Sequence, residues 1–335
     1  MNELYLPEGA YIGTRANDEA MASLENLIRA KALGTVLEAR VQLCDGAHDL
    51  SVALGKYKGI IPRTEAVFCP NGEEPRDIAV ITRVGKTVCF VVTDVILHDG
   101  EEPRILLSRR RAQEQCYNEY VSTLRAGDII PARITHEEPF GCFCDIGRGI
   151  ISLLSIDCIS VSRIAHPRDR FFTGQYIKAI VKRTVRHDGR ISLTHKELLG
   201  TWEENAAAFH PGETVAGIVR SVEPYGIFIE LAPNLAGLAE WREGFRAGQC
   251  AAVYIKSIIP EKMKVKLVTV DGGFGDCGGR EMTYFEKGEH LDRWRYSPAC
   301  CERVIETVFD DREEAEESEE SEDSEDSENP QNSEE

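Results

Sequence analysis

The sequence predicts an all-β protein made of three small barrels in tandem. Short runs in which apolar residues alternate with polar ones, such as the run through Ile130 and Ala132, are separated by glycine-bearing turns, which is typical of strands with one buried face. One strand pattern also occurs three times, starting at Gly34, Gly127 and Gly212. Because these starts lie 93 and 85 residues apart, each repeat is long enough to fold alone, and five strands per repeat suit a small closed barrel.

A helical segment is predicted to precede the first barrel, over residues 1–32. Between positions 18 and 31 apolar residues recur at helical spacing. Leu24, Leu27 and Ile28 form the apolar stripe of this predicted helix.

The first barrel is predicted over residues 33–111 and has the most eroded pattern of the three. Its second strand carries His48 and Ser51 at the positions where the other two repeats carry aromatic residues. Without rings, a nucleic-acid base has little flat surface on which to stack. This barrel is therefore expected to serve packing or protein contact.

The middle repeat, predicted as a barrel over residues 125–198 between helical linkers at 112–124 and 199–210, has the most regular pattern. Its motifs are, in chain order, GDIIPARI from Gly127, FGCFCDIG from Phe140 and GRISL from Gly189. In this fixed order they resemble an S1 RNA-binding domain. With its two weaker copies, the chain resembles a short, three-repeat member of the bacterial ribosomal protein S1 family.

The resemblance implies five-stranded OB barrels, and it implies that Phe140 and Phe143 stack nucleic-acid bases on an outer face. Strict alternation would place residues three apart on opposite sides of a strand. We therefore expect a bulge at Gly141 that turns both rings outward. Packing of the two rings in the core is the alternative.

Cations crowd the middle repeat. Between positions 125 and 200 there are 12 Lys or Arg against eight Asp or Glu, a net charge of +4 within a chain whose total is −18. A groove that follows RNA phosphates needs such a reversal of charge, whereas the alternative is a solvated basic face without a ligand. Besides the two rings, the candidate RNA-binding residues of this repeat are Arg163, His166, Lys178, Lys182, Arg183, Arg186 and Arg190.

Two positions of the middle repeat depart from the S1 pattern. Ser152 follows Gly149, Ile150 and Ile151, where many S1 domains have a histidine, and Arg186 stands where an aspartate is common. The first change removes a stacking group and the second adds a charge. Generic binding is therefore expected, rather than a preference for particular bases.

The third barrel is predicted over residues 211–270 and repeats the aromatic pair as Tyr225 and Phe228, with Gly226 between them. Lys264 takes the position of the closing arginine of the S1 pattern. The segment before its fourth strand is much shorter than in the middle repeat, so we expect a trimmed barrel with a partial RNA-binding face.

Residues 271–309 follow no clear strand or helix pattern and are expected to pack on the third barrel. They include Cys277, His290, Cys300 and Cys301, but adjacent cysteines and wide gaps match no zinc-site spacing. Neither a metal ion nor another cofactor is predicted.

Residues 310–335 hold 15 acidic residues against one arginine, a net charge of −14. A block of like charges with almost no apolar residues cannot form a core, so a disordered tail is predicted. This tail serves solubility or, alternatively, competes as a polyanion with RNA for the middle barrel.

We expect a monomeric, cytoplasmic protein that is not an enzyme. The chain has no phosphate-cradling loop, nucleophile elbow or paired catalytic carboxylates, and no apolar stretch that could span a membrane, while its 11 cysteines without a secretory signal indicate a reducing compartment. The predicted partners are single-stranded RNA, including mRNA, and the 30S ribosomal subunit, in translation or RNA handling. The alternative is a protein-interaction adaptor that docks on the ribosome, RNA polymerase or a ribonuclease.

Overall fold

The protein consists of three closed barrels of five strands each. This finding confirms the predicted all-β fold class of tandem OB barrels. No helix among the described residues is long and apolar enough to cross a membrane. A computed structural model describes residues 5–70, 72–97, 100, 102–184, 191–274 and 282–310, so the acidic tail lies outside the described residues from position 311 onwards.

Two helices, rather than one, precede the first barrel: α1 (Arg15–Met21) and α2 (Leu24–Leu33). The helical pattern is interrupted because the Ser23 hydroxyl accepts a backbone N–H at 3.1 Å and caps the start of α2. The apolar face of α2 is also narrower than predicted. Leu27 is fully buried in the core of the first barrel, but Ile28 is 46% exposed, so its assignment to the apolar stripe is wrong.

The elements of the three barrels follow each other along the chain, and a short helix leads into the second and the third. The first barrel contains β1 (Val36–Cys44), β2 (Leu50–Leu54), β3 (Tyr57–Ile61), α3 (Asp77–Ile81), β4 (Thr87–Ile96) and β5 (Arg104–Ser108). Helix α4 (Arg109–Glu119) precedes β6 (Ile129–Glu138), β7 (Gly141–Asp145), β8 (Ile151–Ser155), β9 (Tyr176–Thr184) and β10 (Ile191–Thr194). Helix α5 (Trp202–Ala206) precedes β11 (Thr214–Glu223), β12 (Gly226–Ala232), β13 (Leu235–Ala239), β14 (Cys250–Ile259) and β15 (Lys264–Phe274), and a separate two-stranded sheet follows, β16 (Arg293–Arg295) with β17 (Glu306–Val308).

All three barrels have the same strand connections. In each, the first strand pairs with the second and the fourth, and the third and fifth strands close the barrel as a parallel pair. The first strand has a bulge at the same place in every barrel, at Gln42, Thr135 and Arg220. The strand register therefore assigns equivalent residues in the three barrels.

Alternate residues of each strand fill the barrel interiors. In the middle barrel Cys142 and Cys144 are fully buried, as their spacing on one strand predicts, whereas Phe143 between them points outward. In the first barrel Phe90 is a large, fully buried core side chain. In the third barrel Ile227 and Ile229 are fully buried in the core. Burial of such side chains contributes about 1.5–3 kcal/mol each for the large apolar ones.

A buried ion pair joins the N-terminal segment to the first and middle barrels. The guanidinium of Arg109, at the start of α4, donates to the two carboxylate oxygens of Glu8 at 2.7 and 3.0 Å. Burial opposes ionisation of the Glu8 carboxyl group, but the neighbouring Arg109 holds the pKa of Glu8 below its ordinary value. The Glu8 N–H donates in turn to the Asp145 carboxylate of β7 at 2.8 Å. These contacts hold the N-terminal segment, α4 and β7 together.

A second buried cluster joins the middle and third barrels. Arg170, from the segment between β8 and β9, donates to the Glu230 carboxylate of β12 at 2.5 Å. Arg220 of β11 donates to the same carboxylate at 2.7 and 3.2 Å. The three side chains are between 3% and 9% exposed. The barrels are therefore joined through buried charged groups and are not independent beads on a chain.

Residues 282–310, here called the C-terminal strap, pack across both the middle and the third barrel. Trp294 and Tyr296 belong to the core of the third barrel. Phe309 packs with Ile180 of β9, in the middle barrel. The strap therefore packs on the third barrel, as expected, and it also covers one side of the middle barrel.

Candidate nucleic-acid interface

The two predicted rings of the middle barrel lie on its outer surface. Phe140 is 54% exposed and Phe143 is half-buried. Their ring centroids are 6.0 Å apart in an edge-to-face arrangement. Since the interior is already filled by Cys142 and Cys144, the two rings lie outside the core.

The rings share one side for a different reason from the predicted one. Phe140 lies in the turn before β7, so the alternation of the strand does not apply to it, and β7 pairs with β8 without a bulge from Gly141 to Asp145. The bulge lies in β6, at Thr135. Gly141 is needed for close approach instead, because a Cβ atom there would lie 2.4 Å from the Leu154 carbonyl oxygen.

A third ring, which the S1 pattern does not predict, extends the pair. His136 lies directly opposite Phe143 across β6 and β7, and the two rings are stacked with centroids 6.4 Å apart and planes 16° apart. The His136 side chain is 60% exposed, and its Nε2 lies 2.7 Å from the Glu138 carboxylate. The two-residue hairpin loop at Pro139 and Phe140 is the signal that could have identified His136. We call His136, Phe143 and Phe140 the three-ring platform.

The outer face continues from the platform across the neighbouring strands. Phe143 pairs with Leu153 of β8, Leu153 with Ser192 of β10, and Ser192 with Arg183 of β9. Arg183 is exposed at the end of this row, and Lys182 beside it is exposed as well. One predicted cation, Arg183, therefore lies in the row that begins at the rings, and Lys182 occupies the bulge next to it with its Nζ 3.5 Å from the Cys158 sulfur.

Ser152, which the sequence pattern assigns to the histidine position of the S1 pattern, lies inside β8 and pairs with Cys144 of β7. Strand pairing makes Ser152 equivalent to Gly59 of the first barrel and Gly237 of the third. Ser152 is buried, and its hydroxyl donates to the Ile191 carbonyl oxygen.

Three other predicted residues lie off this row. The backbone N–H of Lys178 donates to the Tyr284 hydroxyl of the C-terminal strap at 3.2 Å. Arg163 is exposed but lines a small cleft beside the strap. His166 uses its Nδ1 to accept a backbone N–H at 3.1 Å and so caps a turn of 3-10 helix. Arg186 and Arg190 lie outside the described residues.

The third barrel has a smaller version of the same face. Tyr225 is 69% exposed, and its ring lies 6.1 Å from that of Phe228 in the same edge-to-face arrangement. Ser221 replaces His136, so this face has two rings. The predicted Lys264 is exposed at the start of β15, and Lys266, which was not predicted, lies in the outer row two strands from Phe228.

The first barrel has the imidazole of His48 in place of Phe140 and the hydroxyl of Ser51 in place of Phe143. Ser51 pairs with Leu43 as Phe143 pairs with His136, and Ser51 is 8% exposed. His48 has a left-handed backbone with φ of 64°, and its Nδ1 lies 3.2 Å from the Asp77 carboxylate. The sequence assignment of these two positions therefore agrees with the register.

A cleft of about 730 Å³ opens between the first and middle barrels, beside the three-ring platform. His136 and Phe143 form part of its lining. Four cations line it as well, and none of them was predicted, because they come from separate repeats and meet only where two barrels pack. These cleft cations are Arg40, Arg83 and Lys86 of the first barrel and Arg133 of the middle barrel.

The described part of the chain contains no group of three side chains that could hold a metal ion. Cys300 is an exposed free thiol, and Cys301 is a buried one. His290 is held instead by the carboxylates of Asp128 at 2.7 Å and Asp292 at 3.3 Å, and the first of these contacts raises its pKa. Cys277 lies outside the described residues.

Comparison with known proteins identifies ribosomal relatives, although no protein-family model matches the chain. The small ribosomal subunit protein bS1 of Staphylococcus aureus (strain COL) is 28% identical over 241 residues, which cover 70% of this chain and 58% of that protein. The small ribosomal subunit protein bS1 homolog of Bacillus subtilis (strain 168) is 31% identical over 159 residues, or 46% of this chain and 41% of the relative. The chain thus spans 58% of the length of the first of these curated relatives.

One solved structure has comparable coverage. A multidomain protein with nucleic acid binding domains from Streptococcus pneumoniae TIGR4 is similar over 71% of this chain and 74% of its own. Its sequence identity to this chain is 14%, and the TM-score is 0.24.

Proposed function

The chain belongs to the S1 family, and from this premise we propose that it binds single-stranded RNA through the outer face of its middle barrel. The relatives are named as proteins of the small ribosomal subunit. The proposed setting is accordingly translation, with mRNA held near the 30S subunit, or other RNA handling in the cytoplasm.

The single observation that carries this proposal is the three-ring platform. Three neighbouring rings stand outside a core that is already complete, although burial of rings this size would itself be favourable. A row of exposed rings suits a ligand with flat faces. Stacking of a base on an aromatic side chain contributes about 1–3 kcal/mol and tolerates any base, which fits a protein that reads little sequence.

Cations in the same row support RNA rather than another flat ligand. Arg183 is exposed at the end of the row that begins at the platform, and Lys182 is exposed in the bulge next to it. Contacts between such cations and phosphates supply affinity that does not depend on sequence. Rings for bases beside cations for phosphates are the combination that single-strand binding proteins use.

The test removes the rings and keeps the barrel. Replacing Phe140 and Phe143 by alanine is expected to weaken binding of a labelled oligouridylate by about 1–3 kcal/mol for each base that loses its stack, or roughly fivefold to 150-fold in Kd. Fluorescence anisotropy measures the affinity, and thermal melting checks that the barrel remains folded.

Phe172→Ala is the matched control, because Phe172 is 66% exposed on the same barrel but does not belong to the platform. Equal affinities of the double variant and this control would refute the proposal.

An apolar patch on the third barrel favours a second role as a protein-interaction adaptor. Tyr254 and Val268 lie opposite each other on β14 and β15, Val270 follows on the same strand, and each is at least 40% exposed. Trp241 is 55% exposed, and the next residue donates to the carbonyl oxygen of Val270. Copurification with the 30S subunit after ribonuclease treatment tests this role: retention of the wild type and loss of Trp241→Ser would favour the adaptor.

A further inference from the structure

We infer that the cleft between the first and middle barrels holds the phosphodiester backbone of the RNA strand whose bases stack on the platform. The inference rests on the proposed function and adds to it a second element of the site. The first barrel, which lacks the phenylalanine pair, would then take part in RNA binding through its cations.

Three of the four cleft cations, the arginines, are held by carbonyl oxygens, which orient a guanidinium without neutralising it. Arg40 donates from Nε to the Gly85 oxygen at 2.6 Å, and Arg83 donates from Nε to a helix carbonyl oxygen at 3.2 Å. Arg133 donates to the Glu8 carbonyl oxygen at 2.9 Å. Within the described ranges, none of the four cleft cations forms an ion pair with a carboxylate.

Other cations of the first barrel differ in this respect. Lys31 lies 2.7 Å from the Asp94 carboxylate, and Arg63 lies 2.9 Å from that of Asp77. Carboxylates are thus available elsewhere on this barrel, but not where the cleft cations meet. Unpaired cations that gather in one concave place indicate an anionic ligand.

The two carboxylates in the cleft lining are already engaged. Glu8 accepts both of its charged hydrogen bonds from Arg109. Asp145 accepts the backbone N–H groups of Glu8, Gly147 and Gly149 at 2.8 to 3.0 Å. These groups attract the cations from a distance but leave the cleft with an excess of positive charge.

Repulsion within the cluster agrees with this charge balance. Partial burial and the neighbouring charge of Arg83 together lower the pKa of Lys86. Burial and the charge of Arg109 lower the pKa of Arg83. A bound phosphate would relieve these unfavourable contacts, since its charge is opposite to theirs.

Position connects the cleft to the platform. Phe143 and His136 belong to the platform and also line the cleft, so a strand that leaves these rings on this side enters between the barrels. The Glu8–Arg109 pair holds the walls of the cleft together before any RNA binds. A site that is formed in advance avoids the cost of ordering on binding.

The test reverses two cleft charges and compares the result with the same change elsewhere on the first barrel. Arg40→Glu with Lys86→Glu is measured beside Arg29→Glu with Lys58→Glu, whose parent residues are exposed and do not line the cleft. The probes are oligouridylates of about 4 and about 16 nucleotides, the two ends of the range of site sizes for an OB fold. Melting curves check the fold of each variant.

We expect the cleft variant to bind the longer RNA at least roughly tenfold more weakly than its control, and to bind the shorter RNA equally well. The slope of log affinity against log salt should fall by about 1.4, since each single-strand phosphate contact contributes about 0.7. Lys86→Gln, a milder change, should lower the slope by about 0.7.

Equal affinity of the cleft variant and its control for the longer RNA would overturn the inference. Phe140→Ala with Phe143→Ala is measured in the same series to separate the two proposals. Loss in the ring variant alone would leave the proposed function standing without the cleft. Loss in the cleft variant alone would place phosphate binding in the cleft and remove the platform from the site.

Discussion

The middle and first barrels have the same strand order and the same bulge in their first strand, yet their outer faces differ. In the middle barrel His136 of the first strand lies opposite Phe143 of the second strand. In the first barrel Leu43 lies opposite Ser51 at the same positions. The inner faces of both are filled by apolar side chains. Apolar interiors of the same kind therefore give barrels with the same strand order. A few residues on the outer face decide whether a nucleic-acid base can stack there.

The difference also shows what a barrel without a three-ring platform can contribute. Arg40, Arg83 and Lys86 of the first barrel reach the cleft only because that barrel sits against the middle one. Its contribution depends on its position, whereas that of the middle barrel depends on its own side chains. Three experiments test this contrast, from the largest expected effect to the smallest.

The first experiment loosens the first barrel from the middle one. Arg109→Met leaves the Glu8 carboxylate buried without its partner, so the free energy of unfolding is expected to fall by about 3–5 kcal/mol in urea denaturation. Glu8→Met with Arg109→Met is the control, because it removes both charges and should recover most of the loss. If the single and double variants were equally stable, the ion pair would not hold the two barrels together.

The second experiment concerns a side of the middle barrel that has no counterpart in the first. There His195 is fully buried, with Nδ1 3.0 Å from the Ile159 carbonyl oxygen and Nε2 3.2 Å from the Tyr284 hydroxyl of the C-terminal strap. Burial lowers its pKa to about 4 from the ordinary 6.5. The unfolded chain therefore binds a proton at a higher pH than the folded protein does.

Stability from His195 is accordingly present above pH 6.5 and is lost as the pH falls from there towards 4, by up to about 3 kcal/mol. His195→Gln cannot titrate and should lack this part of the pH dependence. Urea denaturation at several pH values gives the free energy of unfolding of the wild type and of the variant. In the difference between the two, the contributions of all other titratable groups cancel. Parallel pH profiles would mean that His195 binds a proton as readily in the folded protein as in the unfolded chain.

The third experiment compares two ring pairs of the same geometry. Tyr225→Ala with Phe228→Ala is expected to weaken RNA binding by about 1 kcal/mol, less than the change in the middle barrel, because this face has Ser221 where the middle barrel has His136. Anisotropy titrations of the two ring variants with one oligonucleotide give the ranking. A larger loss in the third barrel would make that barrel the principal site.

Several features of the site follow from local sequence. The pair Phe140 and Phe143 and its repeat at Tyr225 and Phe228 could be predicted because a hairpin turn and a single strand determine which way these rings point. The equivalence of Ser152 with Gly59 and Gly237 could not be assigned by the same means, because it depends on how the second and third strands of each barrel pair.

The sequence by itself determined the three barrels, their order and the positions of the aromatic pairs Phe140 with Phe143 and Tyr225 with Phe228. Apolar alternation and turn residues act over a few neighbouring positions, so they predict strands and turns without knowledge of the rest of the chain. Only the tertiary structure decided how the barrels meet. Glu8 and Arg109 are 101 positions apart, and the cleft cations come from two repeats, so no local pattern relates them. Contacts between barrels depend on how the surfaces of folded barrels pack against each other. That packing places unpaired positive charge beside the rings.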